Sequence, residues 1–98
     1  MKIVLSRDVI EFIRSRGGRV FVWTVPMQYG YSQASVFALE TSIDAHDPSR
    51  TFVRFDVGGV DVFFDPGERA APDELHLALK GRHRERLAAY WNGHSFAT

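Results

Sequence analysis

Histidines and carboxylates are the residues of this 98-residue chain whose types are suited to metal binding or acid-base chemistry. His46 stands close to Asp44 and Asp47, so one imidazole and two carboxylates could bind a metal ion there. The same side chains could equally cap the backbone amides of a turn. The four histidines are His46, His76, His83 and His94, and no two are spaced four residues apart as in a helical metal site. A metal site formed by His76, His83 and His94 in the folded chain remains an alternative.

The chain contains no cysteine, which removes one large class of chemistry from these residues. Disulfides, thiolate nucleophiles and cysteine-ligated metals all require that side chain. No G-x-S-x-G elbow occurs, and no glycine-rich phosphate loop leads from a strand into a helix. We therefore assign no catalytic, cofactor-binding or metal-ligating residue, and predict a protein that is not an enzyme and carries no cofactor.

The charges of the chain cancel, with 12 basic and 12 acidic side chains. A protein without net charge has no overall field to attract nucleic acid, so we do not expect nucleic acid as a partner. Two segments nevertheless carry a local excess of one charge. Residues 80–86 hold four basic side chains and one acid, and residues 56–74 hold six acids and one basic side chain. These segments could neutralise one another, face solvent, bind a partner, or, for the basic one, contact phosphate.

The first elements are a short strand, "KIVLS", and a helix over residues 7–16. Ser6 is a good N-cap residue, and Asp8 in the first turn favours the helix dipole. Apolar residues at helical spacing, chiefly Val9, Phe12 and Ile13, predict a buried stripe. Gly17 suits the left-handed position after the helix.

The rest of the chain is dominated by strand signals. "RVFVWTV" predicts a strand covered on both faces and ended by Pro26, and "ASVFALE" predicts its partner. "FVRFDV-GG-VDVFFD" predicts a hairpin with a type I′ turn at Gly58-Gly59, and "LHLAL" predicts another strand. Residues 84–91 could be helix or strand. The order predicts one α+β domain, residues 1–98, with an N-terminal helix and a β-sandwich-like core.

Aromatic residues exceed what one side of a thin core needs, and some occur where polar turns are usual. The loop "VPMQYGYS" carries two tyrosines, and a second aromatic pair stands near the C-terminal end. Tyrosine and tryptophan combine a large apolar area with a polar tip, which suits a contact surface. We predict a contact surface formed by Met27, Gln28, Tyr29, Tyr31, Tyr90 and Trp91.

Taken in order, the segments "IVLSRDVIEFIRSRGGRVFVWTV", "PMQYGYS", "FVRFDVGGVDVFFD", "DELHLAL" and "YWNGHSF" resemble the HesB-like fold of the A-type iron-sulfur carrier proteins. The resemblance covers nearly the whole chain and implies a small β-rich domain, often a homodimer. In that family iron or an iron-sulfur cluster is held by one cysteine after the second strand and by a C-terminal pair. The first position corresponds to about Met27 and Gln28, and the pair would fall at or just past residues 95–98.

None of these positions supplies a thiolate, so no functional residue of the family carries over. The expectation is a divergent HesB-like domain that has lost cluster ligation and serves as a binding or assembly module, through a homodimer or a protein partner. The alternative is an iron or zinc carrier that uses histidine and aspartate ligands. With no long apolar run and no signal-peptide core, we expect a cytoplasmic protein that does not enter membranes.

Overall fold

A computed structural model describes residues 1–27, 36–43, 49–67, 69–81 and 86–92, and in this part the protein is mostly β. The elements are β1 (Lys2–Leu5), α1 (Arg7–Ser15), β2 (Arg19–Met27), β3 (Val36–Ser42), β4 (Val53–Val57), β5 (Val60–Asp65), β6 (Glu74–Lys80) and β7 (Arg86–Trp91). The predicted α+β class is therefore wrong. The nine residues of α1 are a minor part of a protein built from two mixed sheets.

The strands form a three-stranded sheet in the order β1-β6-β7 and a four-stranded sheet in the order β3-β2-β5-β4. In the first sheet β6 is the central strand. The β1 strand runs parallel to β6, and the β7 strand runs antiparallel to β6. In the second, β2 is parallel to β5, while β3 and β4 are antiparallel to their neighbours. Because side chains alternate between faces, each sheet has an inner face toward the core and an outer face.

The helix begins as the sequence predicts. Ser6 is extended, and its hydroxyl oxygen accepts a hydrogen bond from the Val9 amide at 3.4 Å. The helix ends at Ser15, one residue before the predicted limit, and Gly17 then takes a φ of 108°. Val9 and Ile13 are fully buried, whereas Phe12 is half-buried and lies 3.8 Å from the Arg16 guanidinium carbon.

The predicted hairpin is confirmed. Gly58 and Gly59 have φ angles of 59° and 83°, as a type I′ turn requires, and they join β4 to β5 with Val57 opposite Val60. On β5 the residues Val60, Val62 and Phe64 are buried and alternate with half-buried neighbours. The apolar residues at alternate positions of "VDVFFD" therefore form the inner face of this strand.

The predicted end of β2 at Pro26 is wrong. The strand continues to Met27, and Pro26 stands opposite Phe37 of β3. The register with β5 runs only as far as Trp23. Beyond Trp23, β3 is the only strand that pairs with β2 in the described ladder. Proline has no N–H to donate, and it is tolerated in this part of β2 because one side of the strand is unpaired there. The open assignment of residues 84–91 is decided for residues 86–91, which form β7.

One core joins the helix to the inner faces of both sheets. Its buried residues are Val9, Ile13, Val20, Val22, Val60, Val62, Phe64, Leu75, Leu77 and Leu87. Two contacts bring the sheets together at one side: the rings of Phe64 and Trp91 are 6.0 Å apart, and the Thr41 hydroxyl donates to the Leu87 carbonyl at 3.2 Å. The edges formed by β3 and β7 therefore lie against one another.

No helix in the described part of the chain is long and apolar enough to cross a membrane.

Candidate functional site

The predicted contact residues divide into three groups. Met27 is the last residue of β2 and stands opposite Val36, so it belongs to a strand and not to a loop. Gln28, Tyr29 and Tyr31 lie outside the described residues. Tyr90 and Trp91 are neighbours on β7, so their side chains point to opposite faces of the three-stranded sheet.

Trp91 belongs to the inner face. It packs against the core, and its ring is 6.0 Å from that of Phe64. Tyr90 is therefore on the outer face, where it stands opposite His76 of β6. The structure thus separates this predicted pair: the indole ring joins the two sheets, and the phenol ring is part of the outer surface.

Three side chains lie around Tyr90 on the outer face, and we call the four residues together the His76–Tyr90 patch. His76 lies directly across the strand pair from Tyr90, and directly opposed side chains in antiparallel strands are close neighbours. Glu74 stands two residues before His76, so it shares the same face. The members of the patch are Glu74, His76, Lys80 and Tyr90.

Two alanines give the patch its shape. Ala78 and Ala88 are paired on the outer face between the His76–Tyr90 pair and Lys80. Because their side chains are small, Lys80 can reach over them, and its ammonium nitrogen lies 5.0 Å from the centroid of the Tyr90 ring. A cation at this distance interacts with the electron-rich face of the ring.

At the other end of the patch, His76 approaches an acid. Its Nε2 atom is 3.6 Å from Oε2 of Glu74, and about a third of each side chain remains exposed, 33% for His76 and 39% for Glu74. Such an exposed pair contributes little to stability. Both groups therefore remain accessible to a ligand or a partner.

The backbone beside the patch is held firmly. Asn92 takes a φ of 50° directly after β7. Its amide donates to the Glu74 carbonyl at 2.7 Å, and its side-chain oxygen accepts from the Glu74 amide at 2.9 Å. These two bonds fix the start of β6 against the end of β7, so the spacing of His76 and Tyr90 is set by the sheet.

Chemically, the patch offers a phenol, an imidazole, an ammonium and a carboxylate around a small apolar floor. Tyrosine is enriched in protein contacts, and the charged and polar groups around it can donate to or accept from a partner, as at the polar rim of such a contact. The sequence showed that His76 and Ala78 alternate with buried leucines. It could not show that Tyr90 faces His76, because the register of β7 was not known.

A second group of aromatic side chains lies on the outer face of the four-stranded sheet. The Phe21 and Phe63 rings are stacked with centroids 4.9 Å apart, and Phe52 meets both Phe21 and Trp23 edge-on, at 5.4 and 6.5 Å. The Arg50 guanidinium carbon lies 5.4 Å from the centre of the Trp23 ring. Trp23 stands between the buried residues Val22 and Thr24 on β2, so it lies on this outer face.

The candidate metal ligands are brought together only in part. Within the described ranges no group of three or more His, Asp or Glu residues is arranged to hold a metal ion. His76 has Glu74 beside it, whereas Asp44, His46, Asp47, His83 and His94 lie outside the described residues. The predicted metal sites that involve those residues stay predictions.

The fold and the patch define a small, mostly β protein with a mixed-sheet core and a polar-aromatic surface on its three-stranded sheet. The chain belongs to the CC/Se motif containing family, whose sequence profile matches residues 1–88. The description of the family names a CC/Se motif, and these 98 residues contain no cysteine. Neither the curated proteins nor the solved structures include a match to this chain.

Proposed function

We propose that this protein is a non-enzymatic binding or assembly module of the HesB-like kind, which acts in the cytoplasm through contacts with a second copy or with another protein. Its contact surface is the His76–Tyr90 patch together with Met27 and the residues that follow it in sequence, Gln28, Tyr29 and Tyr31. The ligation of an iron-sulfur cluster is not part of the proposal, because cluster binding needs thiolate donors.

The observation that supports this proposal is the position of Tyr90. The ring stands on an outer sheet face, half-buried, with His76 opposite and the Lys80 ammonium 5.0 Å from its centroid. A tyrosine held in a fixed orientation loses little conformational freedom when it binds, and tyrosine is enriched among the residues that dominate protein interfaces. The small Ala78 and Ala88 side chains leave room for Lys80 to lie beside the ring, so a partner would meet the ring and the ammonium group together.

Two further considerations support the proposal. The resemblance to HesB-like proteins places the Met27 region and the C-terminal end of the chain near one another in that fold. The description of the family names a CC/Se motif, and the 98 residues have no cysteine with which to form a cysteine pair. The proposal therefore rests on the surfaces of the domain and not on thiol chemistry.

Photo-crosslinking tests the proposal directly. A photoreactive phenylalanine analogue at position 90 should give, in cells, one reproducible adduct with a second copy or with a single other protein. The control places the analogue at position 7, because Arg7 lies on the helix and its side chain is 90% exposed. Adducts at position 90 that are no more abundant or specific than those at position 7 would refute the proposed surface.

Size-exclusion chromatography with light scattering tests the homodimer form of the proposal. If two copies meet through this surface, Tyr90→Ser and the pair Tyr29→Ser and Tyr31→Ser should weaken self-association and leave the fold intact. Circular dichroism checks the fold. A protein that stays monomeric at high micromolar concentration, and gives no specific adduct at position 90, is not the assembly module proposed.

The His76–Glu74 pair favours a second candidate, an iron or zinc carrier with nitrogen and oxygen ligands. The pair offers one imidazole and one carboxylate 3.6 Å apart, to which residues from outside the described ranges would have to be added. Purified protein should then hold stoichiometric metal, and a metal at 100 times its dissociation constant should stabilise the fold by about 2.7 kcal/mol. Absent metal, with a melting temperature unchanged by added iron or zinc, would eliminate this candidate.

A further inference from the structure

Within the described ranges β4 leaves the four-stranded sheet with an open edge, as β1 does in the three-stranded sheet. The edges β3 and β7 lie against one another through the Thr41–Leu87 hydrogen bond. By contrast, no strand within the described ranges pairs with the outer side of β4. Its first residue, Val53, is 54% exposed, the highest value among the large hydrophobic residues that the structure describes. An open edge of this kind is a template for another strand.

The hairpin turn fixes which backbone groups of β4 are available. In a two-residue hairpin the residues that flank the turn, here Val57 and Val60, form a hydrogen-bonded pair. Hydrogen-bonded positions alternate along the strand, so Val53, Phe55 and Val57 bond to β5. The N–H and C=O groups of the two residues between them, Arg54 and Asp56, therefore point toward the open edge.

The tip of this hairpin is held against the helix. A guanidinium nitrogen of Arg14 donates to the Gly58 carbonyl at 3.2 Å, and the Ile10 side chain lies directly against Gly58. The helix thus holds the β4–β5 hairpin in place. A strand that paired with β4 would meet a backbone that is already ordered.

The sequence of β4, "VRFDV", is complementary to itself when two copies run antiparallel. If the two-fold axis passes at Phe55, then Arg54 faces the partner subunit's Asp56, and Val53 faces the partner subunit's Val57. Arg54 and Asp56 are the residues with outward backbone groups, so each such pair forms two backbone hydrogen bonds. Side-chain charge and backbone geometry therefore select the same register.

The charges around Asp56 favour the same partner. Within its own sheet Asp56 stands directly opposite Asp61, and like charges in that position repel. Asp61 is compensated by Arg54, whose Nε and Nη2 atoms lie 2.9 and 2.8 Å from one carboxylate oxygen. A second copy would bring its own arginine beside Asp56.

We propose that two copies of this chain associate through antiparallel pairing of their β4 strands, centred on Phe55, which joins the two four-stranded sheets into one continuous sheet. The inference rests on the proposed assembly function and deepens it, because it names the partner and places a contact at an edge remote in sequence from Tyr90. Charged side chains can also protect an edge from pairing, so a monomer is the competing outcome.

Charge-reversal variants test the pairing. Arg54→Asp alone sets two aspartates against each other, and Asp56→Arg alone sets two arginines against each other. Each variant should raise the dimer dissociation constant by about tenfold or more, measured by analytical ultracentrifugation. An equimolar mixture of the two should form a heterodimer, because every facing pair is then of opposite charge. Arg7→Asp, an equal change of charge on the helix, is the matched control and should leave dimerisation unaffected.

Amide hydrogen exchange gives a second measurement that does not depend on the variants. The Arg54 and Asp56 amides should become protected as protein concentration rises through the dimer dissociation constant. The Phe55 amide, which bonds to β5 within one copy, should be protected at every concentration.

The outcomes separate this inference from the proposed function. A wild type that stays monomeric at high micromolar concentration overturns the β4 pairing, even if position 90 still crosslinks to another protein. A dimer that tolerates both single charge reversals, and dissociates on Tyr90→Ser, also overturns it, since the contact would then lie at the His76–Tyr90 patch. A heterodimer formed only by the mixed reversals supports it.

Discussion

Gly58 shows how closely a single residue of this fold is constrained by its surroundings. Its φ of 59° lies in the left-handed region, and a methyl group built there would come 2.6 Å from the Ile10 Cδ1 atom. Two independent requirements therefore favour glycine: the conformation of the turn and the approach of the helix. Gly18 shares only the first, because its φ is 80° and nothing lies within 4 Å of the added methyl position.

We expect Gly58→Ala to destabilise the protein more than Gly18→Ala. Both pay the conformational cost of a left-handed alanine, about 1 kcal/mol, but only Gly58→Ala adds a clash with Ile10. Urea denaturation of the two variants measures the difference. Because the Ile10 Cδ1 atom makes the contact, adding Ile10→Val should recover part of the loss in Gly58→Ala and none in Gly18→Ala. Equal losses in the two glycine variants would contradict the proposed clash.

At the level of elements, local sequence signals were reliable where the structure depends on neighbouring residues. The Ser6 cap and the turn at Gly58-Gly59 are decided within four residues of chain, so they could be predicted. The end of β2 could not, because Pro26 is tolerated only where β5 no longer pairs with β2. The sequence was equally ambiguous about the secondary structure of residues 86–91. They form a strand because they pair with β6.

The helix cap gives an element-level prediction. Ser6→Ala removes the oxygen that accepts from the Val9 amide at 3.4 Å, and should cost about 0.5–1 kcal/mol, the lower part of the usual range because the bond is long. For a chain of this size that corresponds to a fall in melting temperature of roughly 2–8 °C.

Ser15→Ala is the matched control for the cap. The Ser15 hydroxyl donates to the Phe12 carbonyl at 2.8 Å, near the exposed end of the same helix, where water can replace it. Calorimetry should show a smaller loss for Ser15→Ala than for Ser6→Ala. A greater loss at Ser15 would mean that the helix depends on its C-terminal turn and not on its cap.

For the whole molecule, stability depends on the single core that the two sheets and the helix share. Phe64 is 1% exposed and contacts Trp91 across the sheets, so it links β5 to β7. Phe63, the preceding residue, points to the outer face and is half-buried against Phe21. Substituting each phenylalanine in turn therefore compares the contribution of the core to stability with that of the outer surface on the same strand.

We expect Phe64→Ala to lower the free energy of unfolding by about 3–5 kcal/mol, as for a fully buried aromatic ring that leaves a cavity. Phe63→Ala should cost less, because its ring is partly in water already. Denaturant unfolding followed by both circular dichroism and tryptophan fluorescence measures both variants. If Phe63→Ala were the more damaging change, the outer aromatic group would contribute more to the fold than the shared core.

The sequence by itself determined the helix with its cap, the hairpin with its glycine turn, the alternation that marks the inner face of β5, and the absence of cysteine from these residues, since each depends on residues close together in the chain. Only the tertiary structure decided that the class is mostly β, that Trp91 points inward while Tyr90 faces His76, and that no described strand pairs with the outer side of "VRFDV". These facts depend on strand order and register, which are set by contacts between residues far apart in sequence, and a one-residue shift in register would exchange the two faces of a strand.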